Sequence, residues 1–148
     1  MFPLKKVLCP IDFSEHSLKA LKIADEMAKT FHAEIFLVNI IPPIPSVPTP
    51  PHPFVFDIPK YQDSLEINSK KSLDDIAKKH VSSGIKVHQI ISCGDPAQEI
   101  IKIADENDVN LIVVATHGRT GLKHMIFGSV AEKIIRHASC PVLTKRVL

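Results

Sequence analysis

Three of the chain's five glycines, Gly118, Gly121 and Gly128, fall in one stretch running from Ala115-Thr116-His117-Gly118-Arg119 to Gly128-Ser129-Val130. An apolar run, Leu111 to Ala115, precedes it and reads as a buried parallel strand. The segment Val130 to His137 follows and reads as a helix with Ser129 as its N-cap. A glycine-bearing loop between a strand and a helix N-terminus offers unpaired backbone N–H groups and the positive end of a helix dipole. Those are the elements of a phosphate site.

Individual residues in the loop have competing readings. Capping and phosphate binding use the same geometry, so Ser129 suits both. His117 and Arg119 flank a glycine and could reach a phosphate, or be solvated loop residues. Gly121 serves a turn or the ligand, while Lys123 and His124 lie deeper in the loop and are not expected to touch it. Asp12, at the end of an earlier apolar segment, either caps the entry to a helix or faces a ligand. The eight histidines show no metal-ligand spacing.

The elements that must hold these residues alternate strand and helix, which indicates an α/β fold with a parallel sheet. Strands are expected at 6–10, 34–41, 85–91, 111–115 and 141–145. Ser14 should cap a first helix with an inward stripe of Ala20, Ile23, Ala24, Met27 and Phe31. A second helix is expected from about Tyr61 to Ser82, with Leu65, Leu73, Ile76 and Ala77 inward and Gly84 ending it. Asp95-Pro96 marks the start of a third, with Asp as cap and Pro at the first position. Residues 42–59 hold eight of the twelve prolines and read as neither helix nor central strand. That segment is a stiff connection, with Phe54, Val55 and Phe56 tucked against the body or a second subunit, a polyproline II recognition segment for a partner domain, or a lid near the site. Right-handed crossovers then give a doubly wound sheet, with ligands bound where the strand order reverses.

Bulk properties narrow the function classes. A length of 148 residues suits one domain with a full core. The net charge of +2 and scattered lysines leave no basic stripe for nucleic acid. Apolar runs are strand-sized and the N-terminus lacks a signal-peptide core, so the expectation is a soluble, cytoplasmic protein that does not enter membranes. Cys9, Cys93 and Cys140 lack CxxC spacing. Cys9 and Cys140 read as small hydrophobes and Cys93 as partly exposed.

From Lys5-Lys-Val-Leu-Cys-Pro-Ile-Asp12 through Gly94-Asp-Pro-Ala97, Thr116-His-Gly-Arg-Thr-Gly121 and Gly128-Ser-Val-Ala-Glu132 to Cys140-Pro-Val-Leu143, the chain resembles the universal stress protein family. The resemblance covers residues 1–148 as one nucleotide-binding domain. It implies five parallel strands in the order 3-2-1-4-5, helices on both faces, and a homodimer formed through the last strand. ATP-binding members carry G-x2-G-x9-G-(S/T), and here Ala115 stands at the first position, followed by Gly118, Gly128 and Ser129. If that position needs positive φ, alanine costs about 1–2 kcal/mol. If it needs only close approach, a methyl weakens binding without abolishing it. By position, the resemblance places Asp12 and the Ile40 backbone at adenine and ribose, with Pro10 and Ile11 beside them. It places Gly118, Gly128, Ser129 and Val130 at the phosphates, in a binding set that also takes in Ala115, Thr116, His117, Arg119 and Gly121. The family's ATP sites can include a divalent ion such as magnesium. The implied function is an ATP-binding stress or signalling protein. A slow ATP hydrolase and a scaffold without nucleotide are the alternatives, and the lack of any carboxylate in the loop argues against an evolved catalyst.

Overall fold

A computed structural model describes residues 3–44, 57–116 and 128–146. The element order is β1 (Lys6–Pro10), α1 (Glu15–Phe31), β2 (Glu34–Ile41), α2 (Ile58–His80), β3 (Val87–Cys93), α3 (Pro96–Glu106), β4 (Leu111–Ala115), α4 (Ser129–His137) and β5 (Val142–Lys145). All five strands are parallel in the order β3-β2-β1-β4-β5. The order reverses between β1 and β4, the position expected for a ligand crevice.

Strand periodicity divides the core in two. Val7, Cys9, Ile35, Leu37, Leu111 and Val113 pack with Ala20, Leu21 and Ala24 of α1 and Leu73 of α2. Their neighbours Leu8, Phe36, Val38, Ile112 and Val114 pack with Ala97 and Ile100 of α3 and Ala131 and Ile134 of α4. Alternate residues of a strand face opposite sides, so a strand covered on both faces must be apolar throughout. Each fully buried Leu or Ile contributes about 1.5–3 kcal/mol by leaving water. Truncating Leu37 or Ile112 to Ala would cost about 2–5 kcal/mol.

Several boundaries differ from expectation. The second helix begins at Ile58, within the proline-rich segment, because Asp57 accepts the Lys60 amide at 3.2 Å. Pro59 sits in the first turn, where a missing N–H leaves no bond unmade. The helix ends at His80, not Ser82. There the Asp25 carboxylate, on α1, accepts from the Ser82 amide at 2.7 Å and the Ser82 hydroxyl at 2.8 Å. Gly84 instead supplies the turn into β3, at φ 87°. Strand β3 is shifted two residues later than expected at both ends because its pairing with β2 runs from Ile35↔Val87 to Ile41↔Cys93.

Phe31 was expected inward and is 42% exposed. In the same last turn Ala28 is buried in the core, so Phe31 falls on the outer side of the helix. The expectation for Phe54, Val55 and Phe56 falls outside the described residues. Among the cysteines, Cys93 is exposed. Burial raises the Cys9 thiol far above its ordinary value, and partial burial raises Cys140. No helix among the described residues is long and apolar enough to cross a membrane.

Candidate functional site

The carboxyl ends of β1, β2 and β4 are held by backbone contacts. Beyond β1, the Ile11 amide donates to the Val38 carbonyl at 2.8 Å. The Ile11 carbonyl accepts from the side-chain amide of buried Asn39, also at 2.8 Å. A buried amide left unpaired would cost about 1–3 kcal/mol, so this contact fixes where β1 releases the chain. Phe13 then adopts φ 65°, an uncommon conformation for a bulky residue. This left-handed step turns the Asp12 carboxylate back to accept from the Ser14 amide at 3.0 Å and from the Ser14 hydroxyl. The Ser14 oxygen in turn accepts from the Ser17 amide and caps α1. Asp12 therefore orders the entry to α1 while also lining the crevice.

The end of β2 is tied to the start of α3. The Gly94 amide donates to the Ile41 carbonyl at 3.0 Å, and Gly94 has φ 150°. Asp95 caps α3 through the Gln98 amide at 3.1 Å. That hydrogen bond, aided by the charge of Lys133, holds the Asp95 carboxyl below its usual range.

At the end of β4, buried Thr116 donates its amide to the Lys145 carbonyl at 3.1 Å. Its own carbonyl accepts the Gly128 amide at 2.6 Å. A Cβ on Gly128 would lie 2.8 Å from that oxygen, so only glycine fits. This contact corrects the expected cap of the last helix. The N-cap is Gly128, and Ser129 is the first helical residue. Gly128 has no side chain to satisfy the first amides, and the first bond along the helix runs from Glu132 to the Gly128 carbonyl. The N–H groups of Ser129, Val130 and Ala131 are thus left without helical acceptors, as at any helix start.

A cavity of about 810 Å³ lies between these strand ends. Pro10, Ile11, Asp12, Ile40, Ala115, Thr116, Gly128, Ser129 and Val130 all line it. His117, Gly118, Arg119 and Gly121, from the same expected set, lie outside the described residues. Ala115 is the last residue of β4, paired with Lys145, and is not among the positive-φ residues. The backbone cost considered for alanine there does not arise. Asp12 is the one formally charged side chain among the described lining residues, so an anion at α4 would be met by amide dipoles and the Ser129 hydroxyl. Asn39, Phe13 and the α2 residues Asn68, Ser69 and Ser72 also line the cavity and were missed from sequence. A buried asparagine within Ile-Phe-Leu-Val-Asn-Ile-Ile was the available signal. A second depression, of about 640 Å³, lies between α3 and α4 on the outer helical face, away from the strand ends. Among the described residues no three His, Cys, Asp or Glu side chains form a metal cluster.

The model of the universal stress protein family matches residues 3–146. The chain belongs to that family. It is 36% identical over 139 residues to universal stress protein MJ0531 of Methanocaldococcus jannaschii, covering 94% of this chain and 80% of the relative. With MJ0577 of the same organism the identity is 31% over 150 residues, covering 94% and 93% of the two chains. The solved structure of MJ0577 superposes with a TM-score of 0.82, at 29% identity over 98% of this chain and 97% of that one. This agreement extends to the doubly wound sheet with order 3-2-1-4-5. Two structures share the fold at lower identity. One, a universal stress protein in complex with cAMP, has a TM-score of 0.69 at 20% identity, covering 98% of both chains. The other, from Archaeoglobus fulgidus in complex with dAMP, has a TM-score of 0.62 at 22% identity, covering 97% and 98%.

Proposed function

We propose that this universal stress protein binds ATP in the crevice between β1 and β4, and that the occupied protein acts in cytoplasmic stress signalling as a homodimer. The observation that carries this reading is the start of α4. Contact with Thr116 demands glycine at position 128, and that glycine leaves the helix without a side-chain cap at the wall of a nucleotide-sized cavity. A bound triphosphate supplies the acceptors that Ser129, Val130 and Ala131 lack. Asp12 and the Ile40 backbone then lie toward the nucleoside. The complexes of two relatives with cAMP and dAMP support an adenine nucleotide.

Magnesium fits this chemistry as a companion of the phosphates. Asp12 is the protein carboxylate at hand, and phosphate oxygens and water would complete the shell. The homodimer reading is supported by β5, which pairs with β4 on one side and has no strand on its other edge among the described residues.

Thermal melting with and without ATP and magnesium tests the proposal. Ligand at about a hundred times its Kd adds about 2.7 kcal/mol to stability, a rise of several degrees. Asp12→Asn, which keeps an oxygen for the Ser14 turn, should weaken ATP binding while largely preserving the melting temperature of the free protein. An unchanged melting curve at millimolar ATP, together with unmoved Ser129 and Val130 amide resonances, would overturn the reading. Light scattering that returns the mass of one chain would remove the homodimer.

A further inference from the structure

Helix α2 is longer than the sheet requires. Its 23 residues span about 34 Å, while the eight residues of β2 span about 26 Å. Its later turns pack on the sheet through Leu73, Ile76 and Ala77. Its earlier turns pass the cavity, and the face that lines it changes character there. There Asn68, Ser69 and Ser72 line it with polar side chains.

Asn68 and Ser72 are exposed and Ser69 is half-buried, so their polar groups face the open side of the cavity. On the same helix, Ser64 turns its hydroxyl back to the Lys60 carbonyl at 3.0 Å, and on α1 Thr30 does the same to Glu26 at 2.8 Å. Ser69 and Ser72 make no such bond, and the Asn68 amide has no partner among the described residues. Three side chains with donors and acceptors to spare thus share one wall of the cavity. The wall is also placed at the far end from the phosphate site: α2 packs on β2 and β3, whereas α4 packs beside β5 and α3, across β1 and β4.

We propose that Asn68, Ser69 and Ser72 determine specificity by hydrogen-bonding the nucleoside end of the ligand, its sugar hydroxyls and base edge. The inference rests on the nucleotide reading above and deepens it. A wall of this kind favours a ligand whose hydroxyls and base edge match its donors and acceptors.

The test is isothermal titration of the full chain with ATP, 2′-deoxy-ATP, GTP and inorganic tripolyphosphate. The variants are Asn68→Ala, Ser69→Ala, Ser72→Ala and their combination, with Ser64→Ala as control on the same helix. Alanine raises helix propensity at each position, so the fold is retained, and melting curves verify this. The triple variant should bind ATP about tenfold more weakly and lose most preference for ATP over its deoxy and guanine counterparts. Tripolyphosphate binding and the Ser64→Ala variant should be unchanged. If the native chain binds ATP and the triple variant matches it in affinity and selectivity, the inference falls while nucleotide binding stands. If the native chain binds none of the four ligands, the nucleotide reading fails and takes the inference with it.

Discussion

The Gly128 amide donates to the Thr116 carbonyl at 2.6 Å, and the Gly128 Cα lies so close that an added Cβ would sit 2.8 Å from the same oxygen. One backbone contact joins the end of β4 to the start of α4. It sets the direction in which the helix presents its first amides to the cavity. Because φ at Gly128 is −62°, the glycine is required for space and not for backbone conformation.

Gly128→Ala should therefore destabilise the chain by about 1–3 kcal/mol, through a clash with backbone that no rotamer change relieves. Displacing α4 also displaces its amides, so ATP affinity should fall about tenfold or more. Urea unfolding and ATP titration of the same sample separate the two effects.

Ala115→Gly restores the full glycine pattern and should not improve binding. The residue is in extended strand conformation, and its methyl packs against the core on the α1 side. Glycine in a strand interior costs about 0.5–1 kcal/mol, so the melting temperature should drop while the Kd for ATP stays within about threefold. A large gain in affinity would show that the methyl obstructs the ligand.

Asp25→Ala should destabilise the protein by about 1–3 kcal/mol without altering nucleotide affinity. Asp25 is buried and its carboxylate accepts both the amide and the hydroxyl of Ser82, so its loss leaves two donors unpaired where α2 ends. Chemical denaturation measures the cost, and Asp25→Asn, which keeps one acceptor oxygen, should fall between the two.

Glu34 gives a pH dependence of known sign. Its carboxyl is held below the ordinary value of 4.5 by the hydrogen bond with His88, 2.7 Å away, and by Lys86 at 3.2 Å. A depressed carboxylate adds stability above its unfolded value and loses it as pH falls through the folded one. Glu34→Gln should flatten the acid side of the stability curve over roughly pH 5 to 3 and leave the neutral side nearly unchanged. The effect is small, because the pair is partly solvated. An unaltered acid limb in the variant would show that the contact is not maintained in solution.

The sheet order came from the family resemblance, while local pattern in the sequence was enough for the β-α alternation and the caps at Ser14 and Asp95. Each of these depends on neighbours a few residues apart: strand alternation, an oxygen placed before a helix, a proline at its first turn. What remained hidden was decided at long range. The Asp25–Ser82 and Asn39–Ile11 bonds join residues 57 and 28 positions apart, and no periodicity announces them. The cap of α4 moved from Ser129 to Gly128 because Thr116, twelve residues earlier, occupies the space a side chain would need. That Asn68, Ser69 and Ser72 of α2 line the cavity depends on where the helix is laid across the sheet, which no local pattern announces. Sequence pattern determined which segments become strands and helices, because those energies are local. Tertiary packing decided which backbone atoms meet, because steric exclusion and buried hydrogen bonds act between residues the chain keeps far apart.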